Sequence, residues 1–555
     1  MDAPSQPALQ IGDASPDRGR GLFAAQAFRP GQTIQVFDRP LLALTATPLL
    51  ERVCSHCLRV GEKKPRGCSR CCAAFYCDAV CQSAAWAAVH GRECKALGRK
   101  RLRLDGAGGG LPARLPTPVR ALVQALVCPD VETALGSLQG HRPCDGALTD
   151  LLVMARAGCA FAGVEAGEKG TGAGAGLMRA VELLCKIQTN AFHRYDADLG
   201  QAGIFLEPTL AMANHSCIPN ALVHFVGRTA ILTAERPIEP GDEVEISYTD
   251  YTYPLAKRGE ALSSYGFDCR CQRCKEDLNV YQVRFTSSPD AILDNACLVS
   301  PDDFFKLRSH PAIVDPATQS LARTDSETAV KSFESRPSSD EAPSTRRQML
   351  LAQLRDCAGL ATAGLWAVTP VPQILTELSI NYAERGDFAS ALALACFIAT
   401  SCDPYRYTAC FHPTRIKNVL VVAKMLANTA EETAALSQAV ERVTSRPKLE
   451  RKLRETLRDI DQASLCQMLL IMVLQSVPAG RGGAEWELAM AARDMLRDIE
   501  QLPGRDQEVS LITAWTRDPT TDQSRAFFDY AVVQRVDILA GLGRELLLVD
   551  LDTET

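Results

Sequence analysis

Cys54, Cys57, Cys68, Cys71, Cys77, Cys81, His90 and Cys94 fall into four pairs with two or three residues between members. Eight such donors suit two tetrahedral zinc sites. Cys77 and Cys81, and likewise His90 and Cys94, are four residues apart, a spacing that sets both members of a pair on one helical face. Trp86 lies between these pairs and is the expected filler of a small core. A segment this short cannot fold on hydrophobic burial alone, so bound metal must supply its stability. Cys72 adjoins Cys71 and could replace it as a ligand. Three later cysteines, Cys269, Cys271 and Cys274, are one donor short of a closed zinc site. The bland reading of the first eight is a cluster of buried or redox-active thiols; four pairs in register argue against it.

A second set of residues is spread along the chain. It comprises Arg18-Gly19-Arg20-Gly21-Leu22-Phe23-Ala24, Asn190-Ala191-Phe192 and Asn214-His215-Ser216-Cys217 followed by Asn220. Gly241-Asp242-Glu243, then Ser247-Tyr248, then Tyr265-Gly266-Phe267-Asp268 lead into the last cysteines. Taken singly each has an ordinary reading. The glycines could serve a turn, Tyr248 and Tyr265 could be core tyrosines of strands, Asn214 a turn residue and His215 a satisfied histidine. Their order, however, resembles a SET domain with its post-SET cysteine cluster. The cysteine-rich stretch, with Gln82 and Trp86, is similar to a MYND finger. A MYND finger placed after the first SET motif marks the SET-and-MYND (SMYD) family. The resemblance covers residues 10–275 apart from 97–185 and reaches the helical C-terminus only faintly.

The resemblance implies methyl transfer from S-adenosylmethionine to a protein lysine. It implies that Cys54, Cys57, Cys77 and Cys81 hold one zinc, that Cys68, Cys71, His90 and Cys94 hold a second, and that Cys217 joins Cys269, Cys271 and Cys274 around a third. Tyr248 takes the place of the tyrosine beside the transferring methyl, Tyr265 of the second channel tyrosine, and Phe267 of the aromatic residue that limits channel width. Gly19, Arg20, Gly21 and Leu22 fall in the cofactor motif, with Asn190 and Asn214 on the amino and carboxylate groups, His215 meeting adenine through its backbone, and Phe267 packing on the ring. Such chemistry needs an uncharged amine, and a narrow aromatic channel disfavours the charged form by desolvation. Positioning and electrostatics then carry most of the catalysis. No Gly-rich strand-to-helix unit of dinucleotide type is present, which disfavours a Rossmann methyltransferase.

The elements that must position these residues set the fold class: α+β and multidomain. The expected divisions are an N-terminal part of the SET domain over 1–50, the MYND finger over 51–95, a helical insertion and connecting region over 96–200, the SET core over 201–262, the post-SET cluster over 263–280, a linker region over 281–346, and an all-α, tetratricopeptide-like region over 347–555. Thr33–Phe37, Ala230–Leu232 and Val244–Tyr248 carry strand-forming residues. The Gly- and Ala-rich stretch 163–176 reads as a loop, and 324–346, rich in Ser, Glu and Pro, as a mobile linker. Helix spacing at Leu375, Leu378 and Tyr382, a break at Gly386-Asp387 and a second run from Ser390 to Thr400 predict a helical hairpin. Leu465 to Leu474 is too short to span a bilayer and reads as a buried helix.

With 555 residues, 46% of them apolar, the chain can hold several domains. A net charge of −6 argues against a general nucleic-acid binder. Ionising the eleven ligand thiols and adding three zinc ions takes it to about −11, which suits a cationic peptide substrate. No start resembling a secretory leader is seen, and the expected setting is nucleus and cytoplasm, as a monomer without a membrane partner. Arg99 to Arg103 reads as solvated surface, with nuclear import the lesser reading, and His412 reads as a helix-start residue. A second functional class stays open: a scaffold whose MYND surface docks proline-containing peptides, which are pre-extended and cost little entropy to bind.

Overall fold

Short apolar and β-branched runs punctuated by turns build the part of the molecule that holds most of the motifs. The computed structural model describes residues 7–15, 18–61, 63–104, 114–142, 145–164, 173–196, 200–287, 298–299, 308–334, 341–429, 460–478 and 483–552. The chain divides into a first unit of residues 1–248, 259–269 and 478–487 and a second of 249–258, 270–477 and 488–555.

In the first unit Leu9–Ser15 pairs antiparallel with Gly19–Ala24. Thr229–Ala234 lies between Ala221–Val226 and Thr33–Phe37, and Gly200–Leu206 lies between Leu42–Thr45 and Phe192–Asp196. Leu22, Phe28, Ile34, Phe37, Phe205, Leu232 and Ile246 fill the core of these small sheets. Burial on one face fixes strand register, because a one-residue slip would expose the whole apolar set. The expected strand Val244–Tyr248 is shortened to Glu245–Ile246. Val244 N donates to Leu22 O at 2.7 Å, whereas Tyr248 N has turned to His215 Nδ1 at 3.0 Å. A short parallel pairing then sets Asn214 beside Glu245 and His215 beside Ile246.

The insertion is helical as expected: Gly91–Leu104, Thr117–Val127, Pro129–Gly136, Asp145–Ala162 and Ala173–Asn190. Leu122, Leu135, Leu151, Ala155 and Leu184 pack with Leu42, Leu44 and Leu206 of the sheet into a second core. Of the expected loop 163–176, residues 165–172 lie outside the described residues, and helix has begun by Ala173. Gly106 to Gly110 also lie outside them, as do the side chains of Arg99 to Arg103, whose backbone continues the helix from Gly91.

His224, on the strand Ala221–Val226, is buried with neither ring nitrogen hydrogen-bonded, its ring edge-on to Trp486 at 5.9 Å. Burial pushes its pKa from 6.5 down to about 4. The unfolded chain therefore takes up the proton first, and stability present above pH 6.5 is lost as pH falls towards 4. Between pH 7 and 5 this histidine is expected to cost about 2 kcal/mol of folding free energy. His224→Phe should remove that increment, read as a smaller difference between urea midpoints at the two pH values. An unchanged difference would assign the acid sensitivity to other groups.

The second unit is helical among its described residues. Val371–Glu384 and Phe388–Ser401 form the expected hairpin, and the Asp387 carboxylate caps the second helix by accepting from Ser390 N at 3.1 Å. Phe388–Arg406 has the length and composition of a membrane-crossing helix, but 78% of its apolar window is buried within the protein. Leu465 to Leu474 lies in the buried helix Gln462–Gln475, as expected. His412 starts the helix Pro413–Thr429: its Nδ1 accepts from Thr414 N at 3.2 Å.

The linker expectation for 324–346 is corrected. Helices Pro316–Phe333 and Pro343–Asp356 occupy most of that stretch, and 335–340 lie outside the described residues. The Asp315 carboxylate accepts from Thr318 N at 2.9 Å, and Pro316 takes the first helical position. Ala322, Ser326, Ala329, Val330 and Phe333 recur at helical spacing and are buried. That stripe contains small residues, which composition alone does not register as a core face.

Candidate active site and zinc sites

The ligand atoms of Cys54, Cys57, Cys77 and Cys81 lie within 4.8 Å of one another. The same holds for Cys68, Cys71, His90 and Cys94, and for Cys217, Cys269, Cys271 and Cys274. The division is the one the resemblance implied, with Cys71 and not Cys72 in the second group. Four sulfur or imidazole donors in each group match the donor set of structural zinc. Crowding splits the thiols: a hydrogen bond from Cys57 pulls Cys54 down to about 4, while the same pairing pushes Cys57 up. A dication relieves that repulsion among sulfurs. The three groups are zinc sites.

Two expectations about the finger are corrected. Cys77 precedes the helix Ala79–Ala85, with Asp78 as its N-cap accepting from Cys81 N at 2.7 Å. The cap turn, not a shared helical face, brings Cys77 to Cys81. Trp86 is 44% exposed and does not fill the core. Ala74, Tyr76, Ala96 and Leu97 do, together with Val123 from the insertion helix Thr117–Val127. The finger thus shares its core with the insertion.

A buried polar chain reinforces that union. The His90 ring has Nε2 at 3.7 Å from Cys71 Sγ and Nδ1 at 2.8 Å from Glu93 Oε2. Glu93 Oε1 accepts from Arg120 Nη2 at 2.9 Å and Gln124 Nε2 at 3.1 Å. Burial opposes ionisation of Glu93, yet the Arg120 charge and the His90 hydrogen bond hold its carboxyl at about 2. A carboxylate behind a ligating histidine fixes ring orientation and strengthens the ligand. Neither Glu93 nor Arg120 was singled out from sequence; Glu93 three residues after a ligating histidine was the available signal.

The remaining motif residues meet in the first unit. Strand Gly19–Ala24 lies against 242–244, with Ala24 N donating to Asp242 O at 2.9 Å and Val244 N to Leu22 O. Asn214 Nδ2 donates to Arg20 O at 3.1 Å and to Glu243 Oε1 at 2.7 Å. Arg18 pairs with Glu243 at 3.0 Å and Glu245 at 2.8 Å. A Cβ at Gly21 would stand 2.6 Å from Glu243 Oε1 and 3.2 Å from Asn214 Nδ2, so a side chain there must displace the Glu243 carboxylate. Gly21→Ala is expected to push Glu243 off Asn214 and weaken donor binding by about tenfold or more, read by calorimetry. Unchanged affinity would place the donor elsewhere.

Leu22 is buried in the core of the small sheets, and its carbonyl accepts from Val244 N. Asn190 Nδ2 donates to Gln139 O at 2.6 Å and Lys186 O at 2.8 Å. Arg20 Nη2 donates to Ser137 O at 2.7 Å. Gly266 has φ 78°, and a Cβ there would collide with His141. The insertion loop 137–141 therefore touches Arg20, Asn190 and the segment carrying Tyr265 and Phe267. Sequence gave no account of the insertion; its structural use is to support these three places.

The aromatic residues converge as well. Ring centroids lie 4.9 Å apart for Tyr248 and Tyr265, 6.3 Å for Tyr248 and Phe267, 5.3 Å for His215 and Tyr248, and 5.9 Å for His215 and Phe267. Tyr248 OH donates to Ala213 O at 2.7 Å. Burial, and after it the neighbouring Tyr265, push the Tyr248 phenol above its usual range, so it stays neutral. His215 accepts at Nδ1 from Tyr248 N, which leaves its proton on Nε2, 3.2 Å from Cys217 Sγ. One imidazole thus joins the Tyr248 backbone to a zinc ligand.

The SET domain profile matches residues 19–249. Human N-lysine methyltransferase SMYD2 is 29% identical over 50% of this chain and 63% of its own length. The chicken protein of that name is 29% identical over 51% of this chain and 64% of its own. Human histone-lysine N-methyltransferase SMYD3 is 30% identical over 47% and 60%. The chain therefore spans less than two thirds of the length of these relatives. The chain thus carries a SET domain, and with two four-donor groups after its first motif and a third after its last it is similar to the SET-and-MYND domain methyltransferases over this region.

Proposed function

We propose that the protein transfers a methyl group from S-adenosylmethionine to lysine side chains of other proteins, histone or non-histone. The observation that carries the reading is the meeting of Tyr248, Tyr265 and Phe267 with His215, on the chain segments that join Asn214 to Gly19–Gly21. The donor supplies an electrophilic methyl group; the residues of this chain orient, desolvate and exclude water.

In this reading Tyr248 is the catalytic residue. Its proton is engaged by Ala213 O, so the oxygen lone pairs are left to hold an amine hydrogen. Tyr265 and Phe267 wall the lysine passage, and their low-dielectric faces favour the neutral amine. The proton leaves to water. Asn214, Asn190 and the Gly19–Gly21 backbone hold the polar end of the donor, and Arg20 lines that end. The net charge of −6 suits a cationic substrate segment. Nucleus and cytoplasm, and a monomer, complete the proposal.

The test is incubation of zinc-loaded protein with isotopically labelled S-adenosylmethionine and cell extract, followed by mass spectrometry. Labelled lysines that disappear with Tyr248→Phe support the reading; label absent from every lysine contradicts it. A second reading rests on Val80 and Trp86, exposed by 76% and 44% beside the finger's zinc ligands. Exposed apolar side chains of this kind suit a proline-containing peptide. Such docking could serve the enzyme by recruiting substrate, or act without it.

A further inference from the structure

Arginines gather around a cavity of about 310 Å³ in the first unit, away from the aromatic residues. Its wall includes Arg39 from the bend between Thr33–Phe37 and Leu42–Thr45, Arg92 from the finger, Arg120 from the insertion and Arg228 from the turn after Ala221–Val226. Two carboxylates line it, Glu93 and Asp130. Glu93 is already engaged by His90, Arg120 and Gln124. Among the described residues, the guanidinium groups of Arg39, Arg92 and Arg228 make no ion pair or hydrogen bond, and Arg120 Nη1 is buried without a partner. Burial pushes the Arg228 pKa down, with no carboxylate to offset it.

A largely buried, unpaired guanidinium is costly, and buried charges are ordinarily paired. Arg120 is matched by Glu93, which leaves Arg228, partly buried, and Arg39 and Arg92, exposed, as the cations of this wall beside the single further carboxylate Asp130. Guanidinium is the side chain best shaped for phosphate oxygens. Pro40, Leu41, Ala88, Val89 and Val131 give the wall an apolar part, and Ser55, His56, Tyr76 and Gln124 add polar groups. The volume is at the small end for ligand sites. It admits a compact anion with an apolar body and does not admit a folded chain.

We propose that this cavity binds a small phosphate monoester, its phosphate on Arg228 and Arg39 and its body against Leu41 and Val131. The site is separate from the methyl-transfer reading and does not depend on it.

Phenyl phosphate is the probe, with phenol as the neutral control, titrated calorimetrically into zinc-loaded full-length protein at constant ionic strength. Phenyl phosphate is expected to saturate one site per chain and phenol to give no saturable heat. Arg228→Gln or Arg39→Gln should weaken the phosphate by about tenfold or more, whereas Arg497→Gln, an exposed arginine that does not line the cavity, should not. Absence of saturable phosphate binding, or unchanged affinity in both cavity variants, overturns the proposal. Circular dichroism at the titration temperature shows that each variant compared is folded.

Discussion

Tyr248→Phe is expected to lower methyl transfer by about a hundred- to a thousandfold, the scale seen when one preorganised hydrogen-bonding group is removed from a reacting centre. The variant keeps the ring, so the contacts with Tyr265 at 4.9 Å and His215 at 5.3 Å survive. The Tyr248 backbone N–H to His215 Nδ1 survives too, because no side-chain atom takes part on the tyrosine side. Only the hydroxyl is lost, together with its bond to Ala213 O. Donor affinity should therefore stay nearly intact while turnover falls, a separation that distinguishes chemistry from folding. Turnover measured with labelled donor and affinity measured by calorimetry give the two readouts. Equal turnover in variant and parent would remove Tyr248 from the reaction.

Glu93→Ala is expected to have the largest effect on stability, about 3–5 kcal/mol, since it strands the Arg120 guanidinium, 4% exposed, without its carboxylate. It also removes the acceptor behind the His90 ring, which should weaken zinc at the second finger site by about 10- to 100-fold. The two consequences can be separated. Glu93→Leu combined with Arg120→Met removes both members of the buried pair and should recover much of the stability. It cannot restore the His90 partner, so the zinc defect should remain. Chelator competition reads the metal, and urea unfolding reads the stability. A double variant that also recovers full zinc affinity would show that Glu93 acts only through packing.

The same network separates the two halves of the finger. A change at Cys57 acts on the more open first site, while Cys94 lies in the core shared with Val123. Cys54 of the first site lies in that core too, with Cys57 and Cys81 packed against it, so neither site belongs to a free module.

Legibility from sequence followed the kind of constraint. Ligand spacing is short-range and strict, so all three zinc groups could be named from residue positions and family resemblance. The aromatic residues were legible because their chain order matched a known pattern, and the structure brings Tyr248, Tyr265 and Phe267 together. What stayed hidden was long-range and polar. Arg18 with Glu243, and Glu93 with Arg120, are pairs between ordinary surface-type residues far apart in sequence, whose meeting, and for the second pair whose burial, only the fold reveals. Trp86 failed for the opposite reason: a large apolar residue was expected inside, yet the smaller Ala74, Ala96 and Leu97 fill that space. The helix Pro316–Phe333 was missed because most of its buried face, Ala322, Ser326 and Ala329, is made of small residues within a polar composition.

Calorimetric titration of zinc-loaded protein with S-adenosylmethionine tests the central claim most directly. Saturable uptake of one donor per chain, weakened by Gly21→Ala and retained in Tyr248→Phe, is the predicted result. No saturable uptake by folded, zinc-replete protein would contradict the account.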